Sequence, residues 1–84
     1  MMTIRVRLFA RARDLAGAGE LSLALPAGAT VADLRRAITA ACPALTGLLA
    51  RSAIAVDDDF AEDARVLGED AEAALLPPVS GGGE

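Results

Sequence analysis

The stretch TVADLRRAITAACP, from Thr30 to Pro43, is the clearest helix in a chain of 84 residues. Val31, Leu34, Ile38 and Ala41 recur at helical spacing, so one apolar stripe faces inward while Arg35, Arg36 and Thr39 face water. Thr30 is a good N-cap, Asp33 stands at the third helical position where a carboxylate is favoured, and Pro43 stops the run. On either side the period changes to two. TIRVRLFA (3–10) alternates Ile4, Val6 and Leu8 against Arg5, Arg7 and Phe9. ELSLALP (20–26) sets Leu21, Leu23 and Leu25 on one face before Pro26 closes it. Between them, RARDLAGAG (11–19) fits one short turn of helix before a bend. Past the helix, ALTGLLA (44–50) is a short helical or irregular connector and SAIAV (52–56) a strand. FAEDARVL (60–67) holds a brief edge strand, and AEAALLP (71–77) is the last strand, ended by Pro77 and Pro78.

One amphipathic helix against several short strands makes an α+β domain, with the helix laid over one sheet. The first two strands form an antiparallel pair. The first and last lie side by side in parallel, because the helix supplies the crossover that a parallel pair needs. The pattern therefore predicts a β-grasp, or ubiquitin-like, fold: a mixed sheet of about four to five strands on one main helix. Residues 1–78 form this domain and residues 79–84 a flexible glycine-rich tail.

The nominal hydrophobic content of 54% includes 20 alanines, so the core volume must come from Leu, Ile, Val and the two phenylalanines. No apolar run approaches the ~20 residues of a membrane span, and the N-terminus lacks the apolar region of a signal peptide. The single cysteine, Cys42, cannot form an internal disulfide. A cytoplasmic protein is expected, with no membrane partner. The net charge of −4 argues against nucleic acid as a partner, and two aromatic residues make no stacking platform. Arg5, Arg7, Arg11 and Arg13 cluster near the N-terminus. They read first as a solvated strand face and loop, and second as a docking patch for an acidic partner.

The inventory points away from an autonomous enzyme. The chain has no His, Lys, Tyr or Trp, which removes the usual general bases, the Schiff-base amine and most metal ligands. Cys42, before Pro43, has no histidine to activate it and reads as a buried or half-buried structural thiol. The acidic run Asp57-Asp58-Asp59, with Glu62 and Asp63, lacks the glycine and distal glutamate of a calcium loop and reads as a solvated turn. What is left is binding, carrying or scaffolding.

The ending PPVSGGGE (77–84) is sharply punctuated. Pro77 and Pro78 favour a stiff, extended exit from the last strand. Ser80, Gly81 and Gly82 have almost no side-chain bulk, so the tail can thread a narrow channel and approach another backbone closely. An arm of this kind suits a group carrier, which brings its carboxylate to one active site for activation and to another for transfer. The plainer reading is a disordered Gly-Ser end.

IRVRLFARARDLAG at the start, ATVADLRRAI at the helix, IAVDDDFAEDARVL and the final LLPPVSGG together resemble the ubiquitin-like MoaD/ThiS family of sulfur carriers, over nearly the whole chain. The double proline favours its molybdopterin branch. This resemblance implies that Gly82 carries the sulfur as a terminal thiocarboxylate and that Gly81 provides clearance. It implies partner contacts at Phe9, Leu76, Pro77, Pro78, Val79 and Ser80. It further implies an E1-like enzyme that uses ATP to adenylate the glycine, and a sulfur donor such as a cysteine desulfurase or a rhodanese-like protein. The carrier then docks on the large subunit of molybdopterin synthase, where cyclic pyranopterin monophosphate receives the sulfur. No cofactor is expected on this chain itself. Three features depart from the family pattern: Asp57 stands where Asn is usual, Ala73 replaces a larger β-former, and Gly83-Glu84 extend past the second glycine. Removal of Gly83-Glu84 is therefore expected before Gly82 becomes reactive. Three alternatives stay open: sulfur carriage for thiamine or cysteine synthesis, ubiquitin-like protein modification, and an interaction module without tail chemistry.

Overall fold

The computed structural model describes residues 1–78. The element order is β1 (Met2–Leu8), α1 (Ala10–Ala16), β2 (Glu20–Leu25), α2 (Val31–Ala41), a 3-10 turn (Pro43–Leu45), α3 (Thr46–Leu49), β3 (Ala53–Val56), β4 (Asp59–Ala61) and β5 (Glu72–Leu76). Five strands form one sheet in the order β2-β1-β5-β3-β4. β1 pairs antiparallel with β2 and parallel with β5, while β3 is antiparallel to both β4 and β5. This is the β-grasp expected from the pattern.

Alternation in β1 decides which face is buried: Met2, Ile4, Val6 and Leu8 are buried and the residues between them exposed. The buried set meets Leu75 of β5, Ile54 and Val56 of β3, and Val31, Leu34 and Ile38 of α2 in one apolar cluster. α2 begins at a complete capping box. The Thr30 amide donates to Asp33 Oδ2 at 2.9 Å, and the Asp33 amide donates to Thr30 Oγ1 at 3.3 Å. The exposed amides of its first turn are met by the loop before β5, since Val31 N donates to Arg65 O and Ala32 N to Asp63 O, both at 3.0 Å.

Four details differ from the sequence reading. α1 spans seven residues rather than a single turn, and ends at Gly17 with φ 71; only a residue without Cβ adopts that left-handed cap at no steric cost. Leu21 packs against the core on the same face as Leu23 and Leu25 but is only half-buried, on the sheet's outer strand. Ala41 is exposed, because the 3-10 turn and α3 supply Leu45, Leu48 and Leu49 to the core instead. Arg35 does not face water. Its Nη1 and Nη2 donate to the carbonyls of Leu49 and Ser52, each at 2.8 Å, and its Nε donates to Asp63 at 3.0 Å. The guanidinium thus staples α2 to α3 and to the loop before β5, a role its planar five-donor fork allows.

Candidate functional site

The helices cover one face of the sheet and leave the other open. Strand register shows what that open face carries. Arg7 of β1 lies beside Ala74 of β5, which pairs with Ala55 of β3, which pairs with Phe60 of β4. One step further along the strands, Leu76 pairs with Ala53 and comes level with Phe9, the residue after Leu8. Phe9, Leu76 and the three small alanines therefore make an apolar centre, with Phe60 at its edge. A depression of about 400 Å³ opens here, lined by Arg7, Phe9, Ala55, Asp57, Asp58, Glu72, Ala73, Ala74 and Leu76. The two phenylalanines, expected among the core formers, are instead exposed, Phe9 by 43% and Phe60 by 77%, because Leu, Ile, Val, Ala and Met fill the covered face. A small domain short of core volume that leaves both phenylalanines in water has the makings of a contact surface.

Phe9 and Leu76, expected as partner contacts, come level on neighbouring strands, and Phe9 is on the side opposite Ile4, Val6 and Leu8 that its phase predicted. Phe9 is the N-cap residue of α1, at the point where the backbone leaves β1. Pro77, half-buried, and Pro78, exposed, follow directly on β5. Because β1 and β5 run parallel, the chain leaves β5 beside Phe9, at the edge of the apolar centre. Val79, Ser80, Gly81 and Gly82, with Gly83 and Glu84, lie outside the described residues.

Phe60 was missed by sequence reasoning, although a signal was present. Asp57 and Asp58 have φ values of 50 and 72 and form a two-residue hairpin turn, for which Asp is among the favoured residues. Taking that pair as a tight turn sets Phe60 opposite Ala55, on the open face. The acidic run expected as a solvated turn is this turn, with Asp59 already inside β4. Asp57 is held twice: its amide donates to Glu72 O at 2.8 Å, and its carboxylate accepts from the Glu72 amide at 3.0 Å.

The charges on the face divide into paired and unpaired. Arg5 lies 4.0 Å from Glu20 and 3.7 Å from Glu72, both exposed pairs of small energetic weight. Among the described residues, Arg7 and Asp58 enter no ion pair. Cys42 is half-buried at the C-cap of α2, with its amide donating to Ile38 O at 2.8 Å, as a structural thiol would be. Among the described residues, no group of three His, Cys, Asp or Glu side chains is placed to hold a metal ion, and no helix is long and apolar enough to cross a membrane.

Residues 6–82 match the ThiS family. The chain belongs to that family. The matched span takes in the open face and the Gly81-Gly82 pair and stops before Gly83. Among curated relatives, the molybdopterin synthase sulfur carrier subunit of Chlamydomonas reinhardtii is 36% identical over 83 residues, covering 96% of this chain and 100% of that protein. Among solved structures, SAMP1 from Haloferax volcanii has a TM-score of 0.87 at 26% identity, covering 94% of this chain and 98% of that one. A chain from the complex of subunits 1 and 2 of molybdopterin-converting factor from Helicobacter pylori has a TM-score of 0.70 at 26% identity, covering 95% of this chain and 99% of that one. These neighbours share the ubiquitin-like β-grasp.

Proposed function

We propose that this ThiS-family chain is the sulfur-carrier small subunit of a molybdopterin synthase. The observation that carries the reading is the family match over residues 6–82, which ends on the second glycine of the tail and encloses the exposed apolar face. In this reading the two features divide the work. The open face, through Phe9, Leu76, Pro77 and Pro78, docks the large subunit, and the strand exit beside it directs Val79 and Ser80 toward that subunit's active site.

The chemistry resides on Gly82 once Gly83-Glu84 are removed. An E1-like enzyme joins the Gly82 carboxylate to the AMP portion of ATP, releasing pyrophosphate. The persulfide of a sulfur donor of the cysteine desulfurase or rhodanese-like type then attacks the acyl carbon and displaces AMP to give an acyl disulfide. A thiol reductant cleaves its S–S bond, leaving a disulfide on the donor side and the thiocarboxylate on Gly82. Its sulfur is the softer nucleophile, by the same logic that makes thiolate the reactive form of cysteine. It bonds to a carbon of cyclic pyranopterin monophosphate, displacing an oxygen there to give a carrier–substrate thioester. Water cleaves the acyl C–S bond, leaving the sulfur on the substrate and the Gly82 carboxylate restored. Gly81 leaves room for the channel walls, and the bases for these proton transfers belong to the partners, since this chain has no Lys or His.

Intact mass of the chain isolated from its own host tests the reading. The expected species ends at Gly82 with one carboxylate oxygen exchanged for sulfur. A chain that keeps Glu84 in cells making molybdenum cofactor overturns it. The likeness to SAMP1, a small archaeal modifier protein, favours a second reading, protein modification; its signature in the same experiment is an isopeptide conjugate in place of a thiocarboxylate.

A further inference from the structure

The apolar centre of the open face lies between two unpaired charges of opposite sign. Arg7 stands on β1 and Asp58 in the turn that follows β3, and both line the same depression. β5 separates the two strands, and Asp58 follows Asp57, whose amide bonds Glu72 O at the start of β5, so it lies past that end of the strand and across the depression from Arg7. Arg7 faces Glu20 across β1 and β2 and shares a second depression with Arg5, Glu20 and Glu72. Among the described residues, both carboxylates come within ion-pair distance of Arg5 and not of Arg7, while Asp57 is bonded to the Glu72 backbone.

In water an unpaired surface charge costs nothing. Under a docked protein it loses hydration and must find an opposite charge, or association is penalised. A partner that covers Phe9, Ala74 and Leu76 and fills the depression shields both groups. We propose that the open face admits a partner surface with an apolar centre flanked by a carboxylate for Arg7 and a cationic side chain for Asp58. A partner turned end for end sets like charges together, so this polarity fixes the orientation of docking and hence the side of the partner at which β5 ends. The inference rests on the reading that this face docks the large subunit, and it adds the charge order of the recognised surface.

The test uses the full chain and the large subunit from the same host, with affinity measured by calorimetry at two salt concentrations. Folding of each variant is checked by thermal melting. Arg7→Glu lowers the net charge of −4 by two units and Asp58→Arg raises it by two, so the double variant restores it. Each single substitution is expected to weaken binding by about tenfold or more and to reduce its salt dependence, with the double variant weakest of all. Opposite effects of the two single variants, or recovery of affinity in the double, would mean that only net charge matters and would sink the inference. If Phe60→Asp abolishes binding while the charge variants leave it unchanged, the docking reading stands and the inference falls. If the unaltered chain does not bind the large subunit at all, both fall. Sedimentation of the chain alone covers the remaining occupant: a dimer that the charge variants dissolve, with large-subunit binding unaffected, assigns the two charges to a second copy and overturns the proposal.

Discussion

Asp33 accepts hydrogen bonds from the Thr30 amide and from Arg36, and the first of these contributes most to holding its carboxyl below the ordinary value of 3.8. A carboxyl depressed in the folded state stabilises the fold above its unfolded pKa and loses that contribution as pH falls through the folded one. Asp33→Asn is therefore expected to be less stable than the parent at neutral pH, and the gap should close in acid below the usual carboxylate range. Urea titrations at both conditions check this. At Asp58 the backbone rather than the charge decides stability. Its φ of 72 is left-handed, a conformation that glycine adopts without a Cβ penalty, as the preferred Asp-Gly hairpin pair shows. Asp58→Gly should raise stability by about 0.5–1 kcal/mol in a thermal melt. The same substitution removes one of the two proposed docking charges, so stability and partner affinity should move in opposite directions.

Between elements, Arg35 performs work that hydrophobic patterning does not display. It joins α2 to the Leu49 and Ser52 carbonyls at the end of α3 and to Asp63. Arg35→Ala leaves two carbonyls without their charged donors and is expected to cost about 1–3 kcal/mol in denaturant unfolding. Arg35→Lys should recover only part of this, because one ammonium cannot span both carbonyls and the carboxylate. Beneath it, Ile38 is fully buried between α2 and the sheet. Ile38→Ala should cost about 2–5 kcal/mol, a large share of the 5–15 kcal/mol typical of a whole domain.

Taken together, the covered and open faces of the sheet serve different ends. Every fully buried large side chain belongs to the covered face and its helices, among them Ile4, Leu34, Leu75 and Ile54. The open face holds Phe60 at 77% exposure, where it contributes little to stability. Phe60→Asp should therefore shift stability by less than about 0.5 kcal/mol while weakening large-subunit binding by about 2 kcal/mol or more, the scale of an aromatic anchor at an interface. Comparing melting temperature with calorimetric affinity for this variant separates a contact residue from a structural one.

Strand periods, the Thr30–Asp33 cap and the stop at Pro43 are written in neighbours no more than a few positions apart, so β1, β2, β5 and α2 could be read from the chain directly. Even the parallel pairing of β1 with β5 followed, since a single crossover helix leaves little choice of connection. The phase that sets Phe9 against Ile4, Val6 and Leu8 was legible for the same reason. Phe60 was not, because its face depends on a one-residue choice of register, which the backbone conformation at Asp57 and Asp58 makes. Arg35 was assigned to water because its three acceptors lie 14, 17 and 28 residues away and meet only once α3 and the loop before β5 have closed over α2. Helical period assigns a side chain to a face, but whether that face is wet depends on what the rest of the chain lays over it.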